Sequence, residues 1–420
     1  MSQEITVLIT TTVLLLLLGY FYYMLKTKFK IALFAILLFC FSSLMSIVYY
    51  FQPLSNLNGN ISWWPLFYWL TIFIITLAPL IQFDRSNICK VSYKLDTLNN
   101  IVTIGFYLSI IPFIEQFAQI PMLLSEMNSG GLGDVMVAAH DTGSLENLSF
   151  ISRNLLRVNI AIYDLCFLIL LLYFLEPRKN KKMIFYIIII LLTRNLTGLI
   201  AGHRAAAIEL IFKMFIVALI ATPLVGVKAR KMMWKSIAWV FTGTFFIFAI
   251  ITIGRAALYG ETKGEDFTLL YFLSWYAGEG LVNFNQFLPL MRHTTDGEIC
   301  FWTILDLLGK QPHELTYEYF YGSLVKLQGI PQNIFYTYIG NFVQDLGFFW
   351  GAVWLVFMST FMTIFTKVKG NIVPLSKLLM IVFYANIIVR GVTSYCYDGE
   401  HGKFIFLTFI LYFYLKAKKM

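Results

Sequence analysis

Arginine residues occupy places in this chain where they could bind an anion. The lysines form short clusters between apolar stretches, whereas most arginines lie inside those stretches or at their opposite ends. A planar guanidinium presents paired donors that fit phosphate oxygens, and it stays charged when partly dehydrated. Four of these residues are therefore candidates for binding a diphosphate: Arg157, Arg194, Arg204 and Arg255.

Two short sequences place arginines at turns. Gly202-His203-Arg204 separates two apolar stretches and Gly254-Arg255 ends another, so both guanidinium groups are expected near one membrane plane. Arg194 lies about two to three helical turns deeper than the first of these turns. A buried arginine needs a partner, and Asp164 and Glu209 are at a similar depth. A structural ion pair, or extension of each side chain towards water, is therefore an alternative to anion binding.

Three residues are candidate general bases: Glu279, Asp345 and His203. A general base must titrate near neutral pH and lie within hydrogen-bond reach of the hydroxyl group that loses its proton. Glu279 stands between Gly278 and Gly280 inside an apolar stretch, where an isolated carboxylate requires an explanation. The alternative is that these residues only make hydrogen bonds in loops, with Glu279 at a solvated break in an interfacial helix.

Aromatic side chains are dense in the same part of the chain. Trp275, Tyr336 and Tyr338 are candidates for binding sugars, because aromatic rings stack on the apolar faces of sugar rings. Aromatic rings also anchor proteins at membrane interfaces, so interface anchoring is the alternative role.

The elements that must position these residues are membrane-spanning helices. Of the 420 residues, 59% are hydrophobic and 13% are charged, which excludes a water-soluble protein. Apolar runs near the length of about 20 residues that a bilayer requires recur along the chain. We predict an all-α integral membrane protein, residues 1–420 as one polytopic membrane domain, with eleven spans: Ile5–Leu25, Ile31–Phe51, Pro65–Phe83, Ile101–Ile120, Leu155–Leu175, Met183–Ile200, Ala205–Leu224, Ser236–Ile253, Leu346–Phe365, Leu378–Tyr395 and Phe404–Leu415.

The lysine clusters predict the orientation of these spans. All strong basic clusters fall in alternate loops, which the positive-inside rule assigns to the cytoplasm, so the N-terminus is outside and the C-terminus is cytoplasmic. The segment Phe267–Leu290 carries several polar residues. If it crossed the membrane, all later lysine clusters would lie outside, so we predict an interfacial or re-entrant helix. The outer face then has a first loop, residues 121–154, and a large loop, residues 255–345.

Several function classes lack support in the sequence. The net charge of +9 is explained by topology, so we expect no nucleic-acid partner. No P-loop, dinucleotide fingerprint or zinc-protease motif is present, and we expect neither a metal nor a cofactor. Cys300 and Cys396 could form a disulfide in an oxidising compartment, and two unpaired core cysteines are the alternative.

Two motifs resemble those of the Wzy-type O-antigen polymerases, the oligosaccharide repeat unit polymerase family. Tyr336-Thr337-Tyr338 followed by Asp345-Leu346-Gly347 is similar to the family's Y-T and D-x-G pattern, and Gly202-His203-Arg204 is similar to its small-residue-plus-arginine turn. Two residues depart from the pattern: Gly340 stands where an arginine is frequent, and His203 where serine is usual. The overall organisation resembles the family over nearly the whole chain.

The resemblance implies a GT-C-like membrane fold in the bacterial cytoplasmic (inner) membrane. It also implies transfer of a polyprenyl-diphosphate-linked oligosaccharide onto a second lipid-linked unit, which builds O-antigen or capsular polysaccharide. The partners would be this substrate, membrane lipid and a chain-length regulator protein. Departure of a diphosphate builds charge that arginines can stabilise without a metal.

Two other functions share many of these features. An O-antigen ligase would use the same donor and deliver the chain to a lipid A core. A flippase or other carrier of lipid-linked oligosaccharide would also need many spans and internal arginines, although we find no internal repeat of the kind frequent in carriers.

Overall fold

The structure is a computed structural model that describes residues 3–52, 61–128, 148–175, 180–200, 204–243, 246, 269–310, 323–331, 335–397 and 402–420. The helices are α1 Gln3–Met24, α2 Ile31–Tyr50, α3 Trp63–Thr76, α4 Ala78–Asp84, α5 Leu95–Asn128, α6 Phe150–Leu175, α7 Lys181–Ile200, α8 Arg204–Ala221, α9 Leu269–Phe287, α10 Trp302–Leu307, α11 Val325–Gln328, α12 Thr337–Thr366, α13 Leu375–Arg390 and α14 Lys403–Ala417. Residues 227–243 are also helical. Two short strands are β1 Lys90–Ser92 and β2 Ile372–Pro374.

The chain forms two compact units. The first contains Met1–Asn87, Gly260–Val368 and Tyr384–Phe406, and the second contains Ile88–Tyr259, Lys369–Phe383 and Leu407–Met420. Each unit is therefore built from segments that are far apart in the sequence.

Within the described residues, five helical segments are long and apolar enough to cross a membrane: Gln3–Met24, Ile31–Tyr50, Trp63–Asp84, Leu95–Gln119 and Thr337–Thr366. They overlap five of the eleven predicted spans. The chain thus has the mostly helical, apolar character of a membrane protein. The predicted spans over α6, α7, α8, α13 and α14 also coincide with helices. The span Ser236–Ile253 lies partly outside the described residues.

The predicted span Leu378–Tyr395 is too long at its end, because α13 stops at Arg390. In the turn that follows α13, two backbone carbonyl groups accept hydrogen bonds from the start of α12. Gly391 O accepts the Tyr338 N–H at 2.8 Å, and Thr393 O accepts the Thr337 N–H at 3.0 Å. These bonds satisfy free N–H groups at the start of α12, which would otherwise lack partners, and they fix the turn against that helix.

The first unit is held together where helices pack around aromatic side chains. Phe39 of α2 contacts Trp69 and Phe73 of α3, with ring centroids 5.3 and 4.6 Å apart. Asp84 at the end of α4 accepts the backbone N–H groups of Ile31 and Ala32 at 3.1 and 2.9 Å, which caps the start of α2. The predicted topology places the start of α2 and the end of α4 on the same side of the membrane, as this contact requires.

Helix α12 has a sharp bend at Gly347, where φ is 78° and ψ is 170°. Only glycine adopts this conformation readily, so the residue permits a change in chain direction directly after Asp345. The predicted span Leu346–Phe365 therefore begins at the bend, and residues 337–346 form a separate helical arm.

The second unit contains helices α5 to α8 and a two-stranded parallel sheet. Strand β1 pairs with β2, with Lys90 opposite Ile372 and Ser92 opposite Pro374. This short strand pair is an addition to a fold that is otherwise helical, as the sequence predicted. Both strands come from loops that the lysine clusters assign to the cytoplasm, and each strand forms only with its distant partner, so local sequence gave no strand signal.

Candidate functional site

Glu279 forms the centre of a polar cluster in the first unit. Its side chain is 2% exposed, and its carboxylate accepts the backbone N–H of Phe335 at 2.9 Å. The side chains of Trp275 and Asn283 also hydrogen-bond to it. Asn283 Nδ2 donates in addition to Phe335 O at 3.1 Å, so the cluster fixes the residue immediately before Tyr336.

The two glycines beside Glu279 allow close packing on opposite sides of α9. A Cβ atom on Gly278 would lie 2.4 Å from the backbone carbon of Met45 in α2. A Cβ atom on Gly280 would lie 2.8 Å from Val392 O. The glycines therefore insert this turn of α9 between α2 and the turn after α13, and they bury the carboxyl group between them.

Burial raises the pKa of Glu279 from its ordinary value of 4.5 to about 8, and the hydrogen bonds from Phe335, Trp275 and Asn283 oppose this shift. Helix α9, which was predicted to be interfacial or re-entrant, is not among the described helices long and apolar enough to cross a membrane. A carboxyl group with this pKa exchanges protons near physiological pH, which is the property required of a general base.

Residues 336–338 start α12 in a strained conformation. Thr337 has φ of 66°, a left-handed conformation that is unusual for a β-branched residue. Its Oγ1 accepts the Trp69 Nε1–H at 3.3 Å and the Gly340 N–H at 3.3 Å. Strain of this kind persists where surrounding contacts hold it, and it is concentrated at functional sites.

The predicted sugar-binding residues differ in their exposure. Tyr338 is 0% exposed, its hydroxyl lies 2.5 Å from Thr76 Oγ1, and its ring belongs to the core of the first unit. Tyr336 is also buried, and its hydroxyl donates to Pro331 O at 2.6 Å. Trp275 alone of the three is half-buried, so it is the one with ring surface that a sugar could contact.

Asp345 holds the segment that precedes α10. Its side chain is 1% exposed and accepts the N–H groups of Ile299 and Cys300 at 3.2 and 2.7 Å, and a hydrogen bond from the Thr295 hydroxyl. The Gly297 N–H also donates to the Asp345 backbone oxygen at 3.2 Å. These bonds occupy both carboxylate oxygens, so Asp345 positions residues 295–300, which precede α10.

The packing around Gly340 explains one departure from the motif of the family that the sequence resembles. A Cβ atom at this position would lie 2.7 Å from Tyr336 Cβ and 3.1 Å from Phe284 Cδ2. An arginine has no room at this packed position. Any anion contact that the family makes with that arginine must therefore come from another residue in this chain.

A charged cluster in the second unit includes a residue that the sequence analysis missed. Lys213 Nζ lies 2.5 Å from Asp164 Oδ1 and 2.6 Å from Glu209 Oε1, and 4.9 Å from the centre of the Tyr163 ring. Asp164 lies on α6, and Glu209 and Lys213 lie on α8. The four-residue spacing of an acid and a lysine within an apolar stretch was the available signal.

Arg194 lies on α7 beside this cluster. It acts electrostatically on Asp164 and Tyr163. Among the described residues it makes no ion pair, because Lys213 lies against both predicted acidic partners. The alternative prediction of a structural ion pair between Arg194 and Asp164 or Glu209 is therefore wrong for the described part of the chain.

The remaining candidates are only partly described. Arg157 lies in α6 and Arg204 begins α8, and their side chains lie outside the described residues. His203 and Arg255 lie outside the described residues entirely, as does most of the first outer loop. Cys300 and Cys396 are described, both are buried and neither forms a disulfide, so the predicted alternative of two core cysteines without a disulfide is confirmed.

No family model, curated protein or solved structure matches this chain. Its function therefore has to be inferred from its own residues and from their geometry.

Proposed function

We propose that this protein is a glycosyltransferase that polymerises polyprenyl-diphosphate-linked oligosaccharide repeat units into O-antigen or capsular polysaccharide. The proposal places it as an eleven-span, GT-C-like enzyme of the bacterial cytoplasmic membrane, with the reaction on the outer face. Its substrates are lipid-linked, and a chain-length regulator is the proposed protein partner.

The observation that carries the proposal is Arg194. It is half-buried in an apolar helix and, within the described residues, has no acidic partner at ion-pair distance. A cation at such a place without an ion-pair partner among the described residues is unfavourable, and binding of an anionic substrate would explain it. A guanidinium suits a diphosphate because it forms two parallel hydrogen bonds to phosphate oxygens.

The proposed reaction breaks the bond between the anomeric carbon of the donor sugar and the diphosphate oxygen. The same carbon forms a bond to a hydroxyl oxygen of the acceptor unit. The hydroxyl proton passes to a general base, and the electron pair of the broken bond leaves with the polyprenyl diphosphate. Arg194, together with Arg157, Arg204 and Arg255, stabilises the charge on the leaving group.

Further residues have supporting roles in this proposal. Trp275 offers a half-buried ring to a sugar, and Tyr336 and Tyr338 hold the helical arm that starts α12. Asp345 positions residues 295–300 through its three hydrogen-bond donors. His203 remains a second candidate base. The resemblance of residues 336–338 and 345–347 to the polymerase family favours polymerisation over ligation.

A carrier of lipid-linked oligosaccharide is the second candidate function. The position of Arg194 favours it equally, because a guanidinium inside a helix bundle can also guide a diphosphate across a membrane. A carrier makes no glycosidic bond, so product analysis separates the two functions.

The test uses the full-length protein in lipid nanodiscs with a synthetic polyprenyl-diphosphate repeat unit, and mass spectrometry of the products. We expect a ladder of oligomers. We expect kcat/KM to fall by at least about a hundredfold in Arg194→Gln, Arg204→Ala and Arg255→Ala, since each removes a donor to the leaving group. Arg230→Gln is the matched control, because this residue belongs to a lysine-rich cluster. Absence of a ladder with the unmodified protein would contradict the proposal.

A further inference from the structure

Lys213 is the most buried cation in this part of the second unit for which the structure gives contacts. Its side chain is 4% exposed, and its ammonium group contacts one carboxylate from α6 and one from α8. A buried lysine normally needs one acidic partner for charge balance. The second carboxylate is therefore more than this lysine requires for charge balance. The charges of the two carboxylates have to be counted together with a second cation nearby.

The second cation near the two carboxylates is Arg194. Lys213 and Arg194 carry two positive charges, and Asp164 and Glu209 carry two negative charges, so the group is neutral as a whole. The negative charges lie against Lys213, at 2.5 and 2.6 Å. Arg194 is near enough to act on Asp164 electrostatically without forming an ion pair with it. The positive charge of the group is thus concentrated at the arginine.

We propose that Lys213 is a positioning residue for the diphosphate site. It engages Asp164 and Glu209 and so keeps these carboxylates from pairing with Arg194, whose guanidinium stays available to the substrate. This inference rests on the proposed function of Arg194 in binding the diphosphate. Without Lys213, Arg194 is a described cation that acts on Asp164, and an ion pair between them competes directly with the phosphate oxygens.

A purely structural role for Lys213 predicts a different result. If the lysine only holds α6 against α8, its loss lowers stability, and the protein that remains folded binds the ligand as before. If it keeps the acids from Arg194, the folded protein itself loses affinity. Removal of the two acids then restores affinity, because Arg194 no longer has a competing partner.

The experiment measures the dissociation constant of farnesyl diphosphate for the full-length protein in nanodiscs, with farnesol as the uncharged control ligand. The variants are Lys213→Met, Lys213→Arg and the triple variant Lys213→Met/Asp164→Asn/Glu209→Gln. Thermal unfolding of each variant gives the folded fraction. We expect Lys213→Met to weaken binding at least about tenfold, the scale of one charge-assisted contact, and Lys213→Arg to bind like the unmodified protein.

The triple variant still tests the inference if Lys213→Met does not fold, because weak binding by a folded triple variant would overturn it. When Lys213→Met binds at least about tenfold more weakly, binding of farnesyl diphosphate by the triple variant within about threefold of the unmodified protein, under 1 kcal/mol, supports the inference. A folded triple variant with tenfold weaker binding overturns it, as does a folded Lys213→Met protein with unchanged affinity. A protein that binds farnesyl diphosphate in this pattern but makes no oligomer ladder would overturn the polymerase function and leave the role of Lys213 standing.

Discussion

At the scale of single residues, the proposed function gives a role to one ionisable side chain in each compact unit, and the two have contrasting environments. Glu279 has donors around its carboxylate and little solvent, so burial raises its pKa to about 8. Arg194 keeps a half-buried guanidinium beside acids that lie against Lys213. The first arrangement gives a proton acceptor near neutral pH, and the second gives a cation for phosphate oxygens.

The raised pKa of Glu279 predicts how stability varies with pH. Folding favours the protonated carboxyl group, so its contribution is complete below about pH 4.5 and is lost as pH rises to about 8. The shift corresponds to at most about 5 kcal/mol. We expect the melting temperature of the unmodified protein to fall across this range, and that of Glu279→Gln to depend less on pH.

Asp96→Asn is the control for this measurement, because Asp96 is an exposed carboxylate at the start of α5. It should keep the pH dependence of the unmodified protein. A Glu279→Gln protein whose melting temperature follows the same pH curve as the unmodified protein would contradict the raised pKa.

At the scale of helices, the contact between α2 and α9 positions Glu279. Ser42 and Ser46 of α2 donate hydrogen bonds to the carbonyl oxygens of Ala277 and Gly278, at 2.6 and 2.7 Å. Small residues on both helices let the two backbones approach, as is common where helices pack within a membrane. The site therefore depends on the absence of a side chain at Gly278.

Gly278→Ala tests this contact. The added methyl group would lie 2.4 Å from the Met45 backbone carbon, and the backbone cannot move aside as a flexible side chain can. We expect a loss of about 1–3 kcal/mol in unfolding free energy and a lower activity. Gly243→Ala is the control, because nothing lies within 4 Å of its added carbon, and it should be neutral or slightly stabilising. Equal stability of the two variants would contradict the contact.

The positions of the helices could be predicted from the sequence better than the contacts that the helices make with one another. Apolar runs placed α1 and α2 within about two residues of their observed ends, because a membrane span is a local property. The glycines beside Glu279 singled it out in the sequence, and the structure shows a buried carboxyl group there in place of the alternative of a solvated break. Tyr338 could not be assigned in the same way, since a ring in the core and a ring at an interface have the same local sequence.

Contacts between distant segments account for most of what the sequence did not reveal. Lys213 was missed because a lysine in an apolar stretch gains meaning only when Asp164 on another helix lies beside it. The two short strands form only with each other. Asp345 was predicted as a base because it is a carboxylate on the predicted outer side, and its three donors come from residues about 45–50 positions earlier.

At the scale of the whole molecule, the predicted orientation of the protein in the membrane can be tested by labelling one cysteine. Cys89 is exposed, and the other four cysteines are buried. Its N–H donates to Asn371 O at 2.8 Å beside the strand pair, which belongs to the predicted cytoplasmic side. We expect a membrane-impermeant maleimide to label the protein in inverted vesicles and not in intact spheroplasts. An Asp296→Cys variant, on the large outer loop, should be labelled in spheroplasts. Labelling of Cys89 from outside would contradict the orientation.

A glycosyl transfer of the proposed kind releases the lipid carrier with each new glycosidic bond, so the release of polyprenyl diphosphate distinguishes an enzyme from a transporter of lipid-linked oligosaccharide. The full-length protein in proteoliposomes would receive the lipid-linked repeat unit, and free polyprenyl diphosphate would be counted against new glycosidic bonds by mass spectrometry. The account predicts one molecule released for each bond formed. Transbilayer movement of the intact substrate, with no release and no bond, would contradict it and identify a carrier.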